Sequence, residues 1–209
     1  MKHLDELVAR YPALAPCQPA VEAAFRTLTE SWAAGGKLLV CGNGGSAADA
    51  DHIVGELMKG YLSPRPLAEE VRARLCAADP QLGPVLAQKL QAALPAINLA
   101  AASALGTAFG NDVSAELFFA QAALGYGRKG DVLMGISTSG KAANVRAALC
   151  AARANGLKTI GLTGRSGGTM AGLCDVIIRV PADHTFEVQE LHLPVYHCLC
   201  AMAEAHFFP

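Results

Sequence analysis

The sequence predicts an α/β protein: a doubly wound, Rossmann-like five-stranded parallel sheet flanked by helices, with one helical insertion. Two observations carry that reading. Short apolar runs alternate with segments of helical period through the second half of the chain, which is the pattern of a parallel sheet covered on both faces. Two of those runs also break directly into turns rich in glycine or hydroxyls that open the next helix.

The elements follow in order. An N-terminal helix region covers residues 1–35, where Pro19 to Ala34 has helical spacing and stops at Gly35-Gly36. Lys37 to Cys41 is the first strand, and Ser46 to about Tyr61 the helix after it. Beyond Ser63-Pro64-Arg65-Pro66 lie two short helical runs, Leu67 to Leu75 and Gln81 to Ala93, split by Asp79-Pro80. This segment, about 67–93, is the insertion. It carries Glu69, Glu70, Arg72 and Arg74 in its first half and an apolar stripe of Leu82, Val85, Leu86, Leu90 and Leu94 in its second, so an ordered helical cover is expected. Pro95 to Ala100 is the second strand and Asp112 to Leu124 a helix. Then come strand Asp131 to Ile136, helix Lys141 to Asn155, strand Leu157 to Thr163, short helix Ser166 to Leu173, strand Asp175 to Val180 and helix Thr185 to His206. All of it reads as a single domain over 1–209.

Composition narrows the function. A net charge of −1 over 209 residues gives no electrostatic case for nucleic acid or an anionic membrane. With 52% hydrophobic and 17% charged residues, the chain is apolar for a monomer of its size, so a homo-oligomer that hides helix surface is expected. The seven cysteines include no C-x-x-C pair, as reduced core thiols would. The first residues show no basic region followed by an apolar run, and Leu94 to Phe109 is too short and too interrupted to span a bilayer. A cytoplasmic protein is the expectation.

The chemistry gathers at the carboxyl ends of the strands. Cys41-Gly42-Asn43-Gly44-Gly45-Ser46 reads as a phosphate cradle, its glycines bringing backbone N–H groups near an anion at a helix N-terminus. Two nucleotide readings fail. The G-x-G-x-x-A match at Gly42 to Ala47 lacks an acidic residue about 20 positions on, and no Walker motif occurs. His52 and Glu56 lie four apart on the helix that follows, on one face. The third strand ends in Ser137-Thr138-Ser139-Gly140, a second anion site of similar build. Gly110-Asn111-Asp112 follows the second strand, to reach substrate hydroxyls or to cap the next helix.

With these residues in hand, the chain resembles a sugar isomerase (SIS) domain of the phosphoheptose isomerase type. The resemblance rests on Cys41 to Ser46, His52-x-x-x-Glu56, Gly110-Asn111-Asp112, Gly135 to Gly140, Asn144-Val145, Leu162-Thr163-Gly164, and Gln189-Glu190 with His197. It implies isomerisation of sedoheptulose 7-phosphate to the aldoheptose 7-phosphate by a homotetramer. Shifting a carbonyl between C2 and C1 passes through an enediol and needs an acid and a base, and the resemblance assigns that pair to Glu56 and His197. It assigns substrate and phosphate contacts to Asn43, Gly44, Gly45, Ser46, Asn111, Asp112, Ser137, Thr138, Ser139 and Gln189.

The same resemblance implies zinc, or another divalent ion, on His52, Glu56, Gln189 and His197. Gln189 and His197 are eight apart, about 12 Å of helical rise, so meeting at one centre asks for leaning side chains or a distortion near Pro194. Packing in an apolar helix is the other reading of His192 and His197. Lys141-Ala142 stands where the family continues Asn-Ser, and Gly55 where it has an acidic neighbour of the glutamate. A non-catalytic SIS tetramer is the alternative, either a sugar-phosphate sensor or a scaffold for the replication initiator.

Overall fold

Strands β1 (Leu38–Cys41), β2 (Ala96–Asn98), β3 (Val132–Ser137), β4 (Lys158–Thr163) and β5 (Val176–Arg179) form one open parallel sheet in the order β2-β1-β3-β4-β5. The structure, a computed structural model, describes residues 2–209. Its helices are α1 (Lys2–Arg10), α2 (Gln18–Ala33), α3 (Gly45–Leu57), α4 (Glu69–Ala78), α5 (Leu82–Lys89), α6 (Ser103–Phe109), α7 (Phe118–Tyr126), α8 (Ala143–Ala154) and α9 (Thr185–Phe207).

Alternation along the strands builds two cores. Leu38, Val40, Met134, Ile136, Ile160 and Leu162 point to the face covered by α1, α2, α3 and α9. Their neighbours Leu39, Cys41 and Leu133 point the other way, onto α7 and α8. Every residue of β1 and β3 is buried, which explains why both read as unbroken apolar runs. Asp131 pins the start of these two strands by accepting from Lys37 N at 2.9 Å and Arg128 N at 2.8 Å.

Strand order reverses between β1 and β3, where the chain leaves for β2 on one side and for β4 on the other. Cys41 pairs with Gly135 at that point, so the loops after β1 and β3 open beside one another at the carboxyl edge. In open α/β sheets that crevice is where ligands bind. Among the described residues no helix is long and apolar enough to cross a membrane.

Three segments depart from the sequence reading. The second strand is shorter than Pro95 to Ala100, because the Asn98 side chain accepts from Ala100 N at 2.9 Å and turns the backbone into a 3₁₀ segment. The helix expected from Asp112 to Leu124 is a π turn at Gly110–Ser114, a 3₁₀ turn at Ala115–Leu117 and then α7. Residues 67–93 do form two helices, packed on each other so closely that a Cβ at Gly83 would strike the Leu75 carbonyl. The expected stripe is not buried throughout, however: Leu94 is, while Leu82, Val85 and Leu90 are exposed.

Candidate active site

The first cradle is shaped by backbone geometry. Gly44 takes φ 54° as the N-cap of α3, a value open to glycine, and Ser46 is buried in the first turn. Asn43 and Asn144 exchange two amide hydrogen bonds, of 2.9 and 2.8 Å, which tie the loop after β1 to the start of α8. The second cradle is held from outside: Gly140 has φ 65° and a Cβ there would strike the Gly167 carbonyl. Ser139 Oγ accepts from Lys141 N at 3.2 Å, and Ser137 is buried at the end of β3.

Two turns along α3 stands the titratable group. His52 Nε2 lies 3.4 Å from Glu56 Oε1 and 3.4 Å from His197 Nε2. Lys59 Nζ donates to the other Glu56 oxygen, Oε2, at 2.9 Å. The His197 ring makes edge contacts with His52 and Tyr196 and a tilted contact with Tyr61. Burial, reinforced by the neighbouring His52 and opposed by Glu56, pushes the His197 imidazole below its ordinary pKa. A cavity of about 520 Å³ between α1 and α9 has His197, Tyr61 and Arg10 in its walls.

Behind His52 runs a hydrogen-bonded chain. Its Nδ1 is 3.0 Å from the Tyr196 hydroxyl, which in turn donates to Asp49 Oδ1 at 3.2 Å. Burial raises the Asp49 carboxyl, against the opposing pull of the Tyr196 hydrogen bond and the His52 charge. A second knot holds the end of α3. Arg65 is fully buried and donates to the carbonyls of Leu57 at 2.7 Å and Glu56 at 3.1 Å, and to Glu204 Oε1 at 2.8 Å. Glu204 also accepts from the N–H groups of Tyr61, Leu62 and Ser63. Burial alone would raise the Glu204 carboxyl, but these donors and the guanidinium hold it below its usual range.

The structure thus brings His52, Glu56 and His197 together. It does not bring Gln189 to them: α9 runs unbroken through Pro194, and a Cβ at Gly45 would strike the Gln189 amide, so that side chain sits at the first cradle. Asn111 and Asp112 are exposed and hydrogen-bonded to one another at 2.9 Å. Among the described residues no group of three or more His, Cys, Asp and Glu side chains is placed to hold a metal ion as it stands. The donor types around His52, imidazole and carboxylate, are ones that zinc takes. Ligands about 2.05 Å from a tetrahedral zinc stand about 3.3 Å apart, close to the two 3.4 Å separations here.

Sequence reasoning missed Asp49, Lys59, Tyr61, Arg65, Tyr196 and Glu204. Asp49, three residues before His52, and Lys59, three after Glu56, carried a local signal.

The SIS domain family model matches residues 6–78 and 80–164. The chain belongs to the SIS domain family. Within this family it stands with the phosphoheptose isomerases: it is 41% identical over 191 residues to that of Rhodospirillum rubrum, covering 91% of this chain and 88% of the relative. Solved SIS structures agree. The phosphoheptose isomerase of Neisseria gonorrhoeae superposes with a TM-score of 0.75 at 31% identity, over 98% of this chain and 96% of that one. That of Francisella tularensis gives 0.73 at 29%, over 98% and 100%.

Proposed function

We propose that the protein is an aldose–ketose isomerase that converts sedoheptulose 7-phosphate to D-glycero-D-manno-heptose 7-phosphate through an enediol. The observation that carries this is the group of His52, Glu56 and His197 on the same helix as the first cradle, in a chain related throughout its length to phosphoheptose isomerases. Helix α3 acts as a ruler. Ser46 and His52 are six residues apart, about 9 Å of rise. An extended seven-carbon chain advances about 1.3 Å per bond, so C1 lies about 10 Å from the phosphorus. Phosphate bound at Ser46, Ser137 and Ser139 therefore leaves C1 and C2 beside the titratable group, whereas a three-carbon phosphate falls short.

There Glu56 and His197 form the proton-transfer pair, one taking the proton from the first carbon while the other serves the oxygens, and the proton returning to the neighbouring carbon. Gln189, Asn43 and the backbone of Gly44 and Gly45 hold the phosphate end, with Thr138, Asn111 and Asp112 along the sugar. His52, Glu56 and His197 would hold zinc or another divalent ion. Such an ion supplies Lewis-acid polarisation of the two substrate oxygens. The assembly is a homotetramer, a reading supported by the exposed apolar side chains of Leu82, Val85, Leu90 and Leu193.

Incubating the protein with ketose phosphates of five to seven carbons, with and without added zinc, and following aldose by NMR tests the reading. Product from the seven-carbon substrate is expected. Its absence under both conditions, with the protein folded, would overturn the assignment.

A further inference from the structure

The Tyr196 phenol is buried, and it touches two groups that each need its single proton accounted for. Asp49 Oδ1 is 3.2 Å away and His52 Nδ1 is 3.0 Å away. A phenol has one proton to give and an oxygen that also accepts. Donated to the Asp49 carboxylate, that proton leaves the oxygen to accept from His52, which places the imidazole proton on Nδ1. The lone pair of the ring then sits on Nε2, the atom that faces Glu56 Oε1 and His197 Nε2. Run the other way, the chain would put N–H on Nε2 and aim a donor where a cation or a substrate proton has to go. Asp49 decides between the two, because its Oδ2 is buried without a hydrogen-bond partner and its Oδ1 accepts from the phenol.

We propose that Tyr196 and Asp49 are positioning residues for the isomerase site, a relay that fixes His52 in the Nδ1–H tautomer and presents its Nε2 lone pair to the Glu56–His197 group. The inference rests on the functional reading above for what that lone pair serves. The tautomer itself does not depend on it. Neither residue is among the substrate contacts assigned above. The relay also locks ring orientation, since the Tyr196 ring stands edge-on to both His52 and His197, with centroids 5.5 and 5.1 Å away. One side chain thereby sets the angle between the two imidazoles. Outer partners of ligating histidines orient the ring and fix the tautomer in this way, and their loss typically weakens metal binding about 10–100-fold.

The test uses the full chain labelled with ¹⁵N-histidine, free of metal and substrate. Two-bond proton–nitrogen correlation spectra should show His52 protonated at Nδ1 and bare at Nε2. Tyr196→Phe removes the hydroxyl alone; His52 should lose that preference, and zinc affinity, read by competition with a chromophoric chelator, should fall about 10–100-fold. Asp49→Asn, which keeps the volume and replaces a carboxylate oxygen with a donor, should shift both readouts in the same direction and covers the case of a poorly folded Tyr196 variant. A wild-type His52 protonated at Nε2 would overturn the relay, and so would folded variants with the wild-type tautomer and zinc affinity. Loss of isomerase activity alone, with the tautomer as stated, counts against the functional reading and leaves the relay standing.

Discussion

Gln189 and His197 stand on one helix but address two stations of another: the Gln189 amide lies over Gly45, and His197 Nε2 lies 3.4 Å from His52 Nε2. Helices α3 and α9 therefore run side by side in the same direction. Their shared length of about 10–12 Å separates the anion-binding end from the proton-transfer end. The substrate lies along that seam in the proposed reaction, with its phosphate at one station and its carbonyl at the other.

Glu56→Gln keeps the shape of the side chain and removes its basicity. Turnover of the ketose phosphate should fall by a factor of about 10²–10⁴. Solvent exchange of the hydrogen on C1 or C2, followed by NMR, checks it: exchange at the wild-type rate would move the proton-transfer role to another residue.

Ser139→Ala deletes a hydroxyl on the exposed rim of the second cradle. Sugar-phosphate binding should weaken by about 1–3 kcal/mol, the scale of a hydrogen bond to a charged group. Calorimetric titration with the ketose phosphate measures it, and an unchanged affinity would remove Ser139 from the phosphate contacts.

Arg65→Ala should cost far more stability than a surface change, since it leaves Glu204 buried without its cation and two carbonyls of α3 without a donor. Breaking such a pair costs about 3–5 kcal/mol, or a drop in Tm of roughly 10 °C for a chain of this size. Thermal unfolding by circular dichroism reads the change. A shift of only a degree or two would show the knot to be incidental.

His192 gives the fold an acid limit. Burial pushes the imidazole down to about 4, against the opposing pull of the Thr163 backbone. The unfolded chain binds a proton near the ordinary histidine pKa of about 6.5 while the folded chain does not. Stability is therefore full above about 6.5 and falls as pH drops toward 4, by on the order of 3 kcal/mol. Urea unfolding of wild type and His192→Leu across that window should show a slope in the wild type that the variant lacks. Parallel profiles would rule out His192 as its source.

His192 and His197 also show what a sequence leaves open. They lie five residues apart in one apolar helix, where packing is the favoured reading of both, and only the family resemblance singles out His197 for ligation. Burial separates them: His192 is sealed in the core beside Val188 and Val195, while His197 meets α3 at the cavity. The sheet and its cradles were legible because each is a local event, an apolar run followed by a turn whose glycines and hydroxyls have few other uses. The Arg65–Glu204 knot joins residues 139 positions apart, and Tyr196 meets Asp49 across 147. No periodicity marks such pairs. The π turn at Gly110–Ser114 escaped notice because its residues suit an ordinary helix start equally well.

The helical pair α4–α5 is fastened at its base. Pro66 bridges Gln91 in antiparallel fashion, Ala92 N donates to the Arg65 carbonyl at 2.8 Å, and Leu94 N to the Leu57 carbonyl at 3.0 Å. The chain thus returns to the entry of β2 at a place set by the base alone, whatever passes between. Closing a loop costs free energy only as the logarithm of its length, about 0.6 kcal/mol for each doubling. Residues 67–90 are accordingly a part that can lengthen, shrink or be exchanged while the register of β2 and the carbonyls that Arg65 grips stay where they are.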